Sequence, residues 1–164
     1  MGLGKESHGV VLAIAEAAER AVFDADALAR PLPAAKRTIY TPHAGEFARM
    51  TGREPPADLA ARARCVRGAR TTGTVLLKGP VDVISDGARV RFNRTGTPAM
   101  TVGGTGDLLA GIAGALFCRL PAFEAAGIAA YVNGRAGMRA AEERGCGMLA
   151  TDMLDFIPEE LFPV

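Results

Sequence analysis

The protein has 164 residues, 49% of them apolar and 23% charged, which is the composition of one ordinary globular domain. Its 19 basic and 18 acidic residues give a formal net charge of +1, whereas a general nucleic-acid-binding domain carries a basic surplus. We therefore expect no nucleic-acid partner.

Three cysteines, Cys65, Cys118 and Cys146, lie far apart in the sequence and form no Cys-x-x-Cys pair. This spacing excludes the common zinc and thioredoxin-type sites, so we expect reduced thiols. The sequence has neither a secretory signal pattern nor an apolar run of about 18 residues. A cytoplasmic location without a membrane partner is the expectation.

Helical and strand patterns alternate along the chain, and two strand patterns follow each other late in the sequence. Apolar periodicity predicts strands at residues 21–23, 38–41, 74–78, 81–84 and 89–93, and the longer helices at residues 8–20, 57–70, 108–117 and 123–144. Ser7 is expected to cap the first helix, Thr151 the last one, and Pro158 to interrupt the last one. This order predicts an α/β fold whose sheet is mostly parallel and carries an antiparallel hairpin at one edge.

The predicted helices carry patterns that indicate how they pack. Four apolar residues of the first helix fall on one face: Val10, Val11, Ile14 and Ala18. Four arginines of the helix at 57–70 form a charged series that predicts a solvated face without a partner: Arg62, Arg64, Arg67 and Arg70. Three glycines of the long helix at 123–144 predict close packing of another helix: Gly127, Gly134 and Gly137.

Charged side chains follow several of the predicted strands. Asp24 and Asp26 either cap the next turn or lie at the carboxyl edge of a parallel sheet, where α/β proteins bind ligands. Lys78 is either a structural residue at a strand end or a phosphate ligand. His43 and Glu46 are either a loop histidine and an ordinary helix-start residue, or parts of one site.

A glycine-rich segment directly precedes the helix at 108–117. Gly103, Gly104 and Gly106 leave backbone N–H groups uncovered where a helix begins, and this arrangement suits an anion such as phosphate. Asp107 then places a carboxylate beside that anion, where it could accept a proton from a hydroxyl that attacks phosphorus. The alternative is a glycine-rich turn followed by an ordinary acidic residue of a first helical turn.

Several of these segments resemble one family. The stretch Asn-x-Thr-Gly-x-x-x-Met-x-x-Gly-Gly-Thr-Gly-Asp, from Asn93 to Asp107, resembles a motif of the ADP- or ATP-dependent NAD(P)H-hydrate dehydratases, a branch of the ribokinase-like small-molecule kinases. Further motifs of that family resemble Gly-Leu-Gly at residues 2–4, Val-Phe-Asp-Ala-Asp at 22–26, Thr-Pro-His-Ala-Gly-Glu at 41–46 and Leu-Lys-Gly-Pro-Val-Asp at 77–82. The resemblance implies a ribokinase-like fold.

The resemblance also implies the residues of a site. Asp107 would be the catalytic base, and the hydrated nicotinamide substrate would contact Gly4, His43 and Asp107. The adenine nucleotide would contact Lys78, Gly79, Pro80, Val81, Asp82 and Gly106. The anion hole would consist of Gly103, Gly104, Thr105 and Gly106.

The implied activity is repair of the hydrated cofactors NADHX and NADPHX to NADH and NADPH. ADP or ATP would be the cosubstrate and Mg²⁺ would offset phosphate charge, while the sequence encodes no obvious all-protein metal cage. A kinase of a small vitamin-type alcohol would use the same Asp107. A non-catalytic fragment that binds a nucleotide is the third interpretation.

Two features depart from the family pattern. Asn133 stands where the family usually has histidine, at a position that carries none of the implied catalytic contacts. The resemblance covers residues 2–164 but only the carboxyl-terminal part of the family's domain, so residues 1–164 are interpreted as a single, apparently truncated domain. We therefore expect a homo-oligomer, or association with the missing part of the domain.

Overall fold

The computed structural model describes residues 7–162 of the chain. Its strands are β1 (Arg20–Phe23), β2 (Arg37–Tyr40), β3 (Thr74–Leu77), β4 (Asp82–Ser85) and β5 (Val90–Asn93). Its α-helices are α1 (His8–Ala17), α2 (Ala44–Thr51), α3 (Leu59–Arg67), α4 (Thr105–Phe117), α5 (Ala122–Arg144) and α6 (Ile157–Leu161). Short 3₁₀ helices cover Ala25–Leu28, Pro98–Met100, Gly145–Gly147 and Ala150–Phe156.

The described strands form one sheet in the order β1-β2-β3-β4-β5. β1, β2 and β3 run parallel, with Val22 opposite Ile39 and Tyr40 opposite Val75. β4 and β5 then run antiparallel as a hairpin at the edge, with Val83 opposite Phe92. The predicted sheet with an antiparallel edge hairpin is confirmed.

Helices cover both faces of this sheet, and the strand side chains alternate between two cores. Ile39, Leu76 and Ile84 face α4 and α5, in a core that contains several alanines of α5. Tyr40 and Val83 face the opposite core, which residues of α1, α2 and α3 complete. Because both faces are covered, every residue of β3 is buried, as expected for a central strand.

The first helix differs from its predicted form. The Ser7 side chain makes no capping hydrogen bond, and α1 ends at Ala17 because β1 begins at Arg20. Val10 and Ile14, on the predicted apolar face, are 60% and 65% exposed, while Val11 packs against the core. The described part of the molecule therefore leaves an apolar strip of α1 in solvent.

The glycines of α5 pack closely, but not against a helix as predicted. A Cβ atom at Gly134 would lie 2.2 Å from the Thr95 hydroxyl, and one at Gly137 would lie 2.3 Å from the Met100 sulfur. The partners are β5 and the loop that leaves it, because this loop crosses α5 on its way to α4. A side chain at Gly134 would displace the backbone of this loop, whereas one at Gly137 would displace the Met100 side chain.

The carboxyl-terminal segment also differs from prediction. Thr151 lies inside the 3₁₀ helix Ala150–Phe156 instead of capping a helix, and Pro158 lies in the first turn of α6 instead of interrupting it. A first turn tolerates proline because its N–H groups have no intrahelical acceptor. Within residues 7–162, no helix is both long enough and apolar enough to cross a membrane.

Candidate active site at the carboxyl edge of the sheet

All five strands bring a polar residue to one edge of the sheet. Asp24, His43 and Lys78 follow the parallel strands β1, β2 and β3, so they meet at the carboxyl edge. Asp82 begins β4 and Asn93 ends β5, and the antiparallel hairpin brings both residues to the same edge. This is the edge at which open α/β sheets bind ligands.

Lys78 connects the charged groups of this edge. Its Nζ lies 2.7 Å from Asp24 Oδ1 and 3.8 Å from Glu46 Oε2. The Asp24 side chain makes no capping hydrogen bond to the turn that follows it, so it does not cap that turn. Asp26 is exposed. Asp24 is the partner of Lys78 at the carboxyl edge of the sheet, and its part in ligand binding stays a prediction.

His43 and Glu46 form a reciprocal cap at the start of α2. The Glu46 N–H donates to His43 Nδ1 at 3.3 Å, and the His43 N–H donates to Glu46 Oε2 at 2.7 Å. His43 Nε2 lies 3.2 Å from Glu46 Oε1. These contacts assign the neutral tautomer with the proton on Nε2. Glu46 is buried, while the His43 side chain is 56% exposed and accessible to a ligand.

The glycine-rich segment turns into α4 at Gly104. This residue has φ +98°, a conformation that glycine adopts without a steric penalty, and a Cβ there would lie 3.0 Å from Ala150 Cβ. The Thr105 hydroxyl lies 3.0 Å from the Met100 carbonyl and 3.1 Å from the Val102 carbonyl, and so holds the loop against the helix. Gly103 has open space where a side chain would be.

The start of α4 faces the Asp24–Lys78 pair. A Cβ atom at Gly106 would lie 3.6 Å from both Asp24 Oδ2 and Lys78 Nζ. Asp107 is exposed in the first turn of α4, where the helix dipole favours a carboxylate. The amides of the first turn, Lys78 and Asp107 thus lie around one region of the surface.

The turn between β3 and β4 is held by Asp82. Its Oδ1 accepts a hydrogen bond from the Gly79 N–H at 2.9 Å, and its Oδ2 accepts one from Asn93 Nδ2 at 2.9 Å. Burial raises the pKa of the Asp82 carboxyl, and the bonds from Asn93 and Gly79 and the charge of Lys78 offset part of that rise. Gly79 and Pro80 are exposed, so their backbone is accessible.

The structure brings most of the predicted site residues to this edge, and adds others. Gly4 lies outside the described residues. Asp24, for which the sequence leaves two interpretations, is one of the added residues, and its position directly after an apolar strand is the available signal. The sequence predicts a solvated face for Arg62, yet its Nη1 would lie 3.4 Å from a Cβ at Gly79, and its Nε donates to the Pro56 carbonyl. No sequence signal distinguishes it from the other arginines of α3.

A cavity of about 450 Å³ lies beside the glycine-rich loop. It is bounded by the loop residues Pro98 and Val102 on one side and by Met148 and Leu149 on the other. The contact between Gly104 and Ala150 joins the two walls at the start of α4. An apolar hollow next to a glycine-rich helix start suits the apolar end of a phosphorylated ligand.

Comparisons with known proteins agree on one family. A family model described as NAD(P)H-hydrate dehydratase matches residues 1–159. The bifunctional NAD(P)H-hydrate repair enzyme of Methanospirillum hungatei is 58% identical over 161 residues, which cover 98% of this chain and 34% of that relative. The ADP-dependent (S)-NAD(P)H-hydrate dehydratase of Cenarchaeum symbiosum is 46% identical over 160 residues, which cover 94% of this chain and 56% of that relative.

Solved structures give the same result. The ADP/ATP-dependent NAD(P)H-hydrate dehydratase of Bacillus subtilis, co-crystallized with ATP/Mg²⁺ and soaked with CoA, is 32% identical with a TM-score of 0.73 over 85% of this chain and 54% of that chain. A ribokinase-like superfamily protein of Enterococcus faecalis, 23% identical, shares the fold with a TM-score of 0.78 over 96% of this chain and 58% of that chain.

The fold and the carboxyl-edge site thus define a ribokinase-like protein, as predicted. Within that class, the chain belongs to the NAD(P)H-hydrate dehydratase family. It spans 34% and 56% of the lengths of the two curated relatives.

Proposed function

We propose that the protein dehydrates NADHX and NADPHX to NADH and NADPH with ADP or ATP as cosubstrate. Family membership supports this activity. The observation that carries the proposal is the approach of Lys78 Nζ to Gly106 at the start of α4, directly before Asp107 in the same helical turn.

In the proposed reaction, Asp107 accepts the proton of the ring hydroxyl of the hydrated nicotinamide. The hydroxyl oxygen attacks the terminal phosphorus of the nucleotide, and the bond from that phosphorus to the bridging oxygen breaks. Backbone N–H groups of Gly103–Gly106 stabilise the negative charge on the transferring group. The ring nitrogen lone pair then expels inorganic phosphate from carbon, and loss of a proton from the adjacent ring carbon to solvent forms the ring double bond and restores the dihydronicotinamide.

We assign a position on the protein to each part of the adenine nucleotide and to the hydrated nicotinamide nucleotide. Lys78, with the backbone of Gly79, contacts the nucleotide phosphates, and Asp24 holds the lysine at the start of α4. The nucleoside occupies the cavity beside Met148. His43, exposed next to Glu46, contacts the hydrated nicotinamide nucleotide.

Mg²⁺ is proposed as a companion of the nucleotide phosphates, and the Bacillus subtilis relative was co-crystallized with ATP/Mg²⁺. Within residues 7–162, no three His, Cys, Asp or Glu side chains are grouped to hold a metal ion. We therefore assign no reaction step to a protein-held metal.

One assay tests the function. Purified protein is incubated with NADHX and either ADP or ATP in the presence of Mg²⁺, and the near-ultraviolet absorbance of reduced nicotinamide is followed. Once the protein is assembled with the polypeptide that covers the exposed strip of α1, we expect nucleotide-dependent formation of NADH and stoichiometric release of inorganic phosphate. Phosphorylation of a vitamin-type alcohol without NADHX turnover would identify a kinase instead. Nucleotide binding without either reaction would identify a non-catalytic protein.

We also propose that the apolar strip of α1 associates with another polypeptide, either a second copy or the remaining part of a dehydratase domain. β1 pairs only with β2 among the described strands, and an open hollow of about 690 Å³ lies on the exposed face around Val10 and Ile14. We expect sedimentation to detect a species larger than the monomer, and little dehydratase activity until the partner is present. A monomer with a sharp thermal transition and robust turnover contradicts both expectations.

A cytoplasmic location is part of the proposal. Cys65, Cys118 and Cys146 are all unpaired, which fits a reducing compartment. Fractionation of cells that express the full-length protein would test it.

A further inference from the structure

Asp82 and Asn93 form a cross-strand pair where the β4–β5 hairpin reaches the site. They are opposite each other in the register of the two strands, so their side chains share one face. Asn93 Nδ2 donates to Asp82 Oδ2 at 2.9 Å, and the other Asp82 oxygen accepts from the Gly79 N–H at 2.9 Å. The pair thus fixes the backbone of the turn that follows Lys78.

Asn93 also fixes the loop that leads to the glycine-rich segment. Its Oδ1 accepts a hydrogen bond from the Thr95 N–H at 3.3 Å and lies 2.8 Å from the Thr95 hydroxyl. Its Nδ2 donates to the Ala130 carbonyl of α5 at 3.1 Å. One side chain therefore joins the β3–β4 turn, the loop before α4 and helix α5.

Both side chains are fully engaged inside the protein. Asn93 is 6% exposed, and its two Nδ2 hydrogens are directed at Asp82 and Ala130. Each oxygen of Asp82 already accepts a bond. An effect of Asn93 on a ligand must therefore pass through the backbone of the two segments that it holds.

We infer that Asn93 is a positioning residue, which acts through Asp82 to keep the Lys78–Asp82 turn and the loop before α4 in the geometry that binds the nucleotide phosphates. The inference rests on the proposed function, because the ligand is the adenine nucleotide assigned above. The resemblance predicts a nucleotide contact for Asp82. In this inference Asp82 instead acts indirectly, by holding the Gly79 N–H.

The pair can be broken and rebuilt by exchanging its members. Asn93→Asp places two carboxylates against each other, and Asp82→Asn leaves a single acceptor oxygen for the two donors Asn93 Nδ2 and Gly79 N–H, so each single variant loses one bond of the arrangement. In the double variant Asp82→Asn/Asn93→Asp, the amide introduced at position 82 donates to the carboxylate introduced at position 93. The Gly79 and Thr95 N–H groups keep their acceptors, whereas the donor to the Ala130 and Thr95 carbonyls is lost.

Two readouts follow the pair directly. The first is the Kd for ADP and for ATP, measured by calorimetry. We expect each single variant to raise it roughly tenfold and the double variant to return most of the affinity. The second is hydrogen exchange of the Gly79 amide, which is exposed and owes its protection to Asp82. We expect faster exchange in Asn93→Asp and protection again in the double variant.

A matched control separates positioning from hairpin stability. Asp86→Asn removes the carboxylate charge that pairs with the Arg89 guanidinium at 2.8 Å, at the opposite end of the same hairpin. We expect this variant to change the thermal midpoint while the Kd for nucleotide stays at the parent value. If Asp86→Asn raises the nucleotide Kd as much as Asn93→Asp does, then Asn93 acts only through the stability of the hairpin, and the inference is overturned.

Two further results also overturn the inference. One is that Asn93→Asp leaves both the nucleotide Kd and the exchange rate of the Gly79 amide unchanged. The other is that the double variant binds nucleotide no more tightly than the single variant with the higher Kd. These results differ from a failure of the proposed function. If the parent binds neither ADP nor ATP, the proposed function fails, while Gly79 exchange still decides whether Asn93 positions the turn.

Discussion

The glycines at the start of α4 and those along α5 have opposite surroundings. Gly103 has open space at the position of a side chain, and a Cβ at Gly106 would make only ordinary contacts of 3.6 Å. Gly134 and Gly137 are instead pressed against the loop that follows β5, where a Cβ would lie within 2.2 Å and 2.3 Å of Thr95 and Met100 atoms.

The same residue type thus serves two purposes in neighbouring elements. At α4, the missing side chains leave backbone N–H groups accessible to a ligand. At α5, they allow the loop that carries those N–H groups to pack closely on the helix. Substitutions at α4 should therefore change ligand binding, and substitutions at α5 should change the free energy of unfolding.

The largest effect is expected at the carboxylate beside the open glycines. Asp107→Asn keeps the size of the side chain and removes its basicity, so turnover should fall by about 10²–10⁴-fold. Nucleotide affinity and the thermal midpoint should stay close to those of the parent. NADHX assays measure the loss of turnover, and calorimetry measures the nucleotide affinity. Turnover within an order of magnitude of the parent would exclude Asp107 as the general base.

Lys78→Ala should weaken nucleotide binding by about 1.5–3 kcal/mol, a factor of roughly 10–100 in Kd, because a charge-assisted contact to phosphate is lost. The KM for NADHX should change less. Lys36→Ala is the matched control, since that lysine is 71% exposed and pairs with Glu19 away from the site. Equal nucleotide Kd values for Lys78→Ala and Lys36→Ala would argue against a phosphate contact.

Gly134→Ala tests the packed side of the comparison. The added methyl group must displace the Thr95 backbone, so we expect a loss of about 1–3 kcal/mol in unfolding free energy. Gly111→Ala is the control, because that glycine lies in α4 with no atom within 4 Å of the added Cβ. It should stabilise the protein by about 0.5–1 kcal/mol through helix propensity. Urea unfolding of both variants measures their free energies of unfolding. If both variants change this free energy in the same direction, the predicted contrast between the two glycines is wrong.

The smallest expected effect lies at Gly106. A methyl group there would fit beside Lys78 and Asp24 but would cover part of the surface to which phosphate binds. We expect Gly106→Ala to raise the nucleotide Kd by several-fold, about 1 kcal/mol, without loss of stability. Gly111→Ala should leave the Kd unchanged. If Gly106→Ala instead destabilises the protein as much as Gly134→Ala does, the distinction between the two glycine sets is wrong.

Much of the fold was predictable because its signals are local. Short apolar runs marked β2 and β3, and Asp86-Gly87 marked the hairpin turn. His43 and Glu46 were recognised as a strand end followed by a helix start, and they form a reciprocal cap there. Asp24 and Lys78 were each singled out, but their contact spans 54 residues of sequence and depends on the order of β1, β2 and β3.

The sequence by itself determined the secondary-structure order, the glycine-rich helix start with Asp107, and the family. Each of these depends on residues close together in the chain, where periodicity, turn chemistry and short motifs act. The tertiary structure decided that Asp24 pairs with Lys78, that Asp82 and Asn93 join two loops, and that the α5 glycines receive a loop instead of a helix. These contacts depend on strand order and on the path of the loop between β5 and α4, which local patterns do not encode.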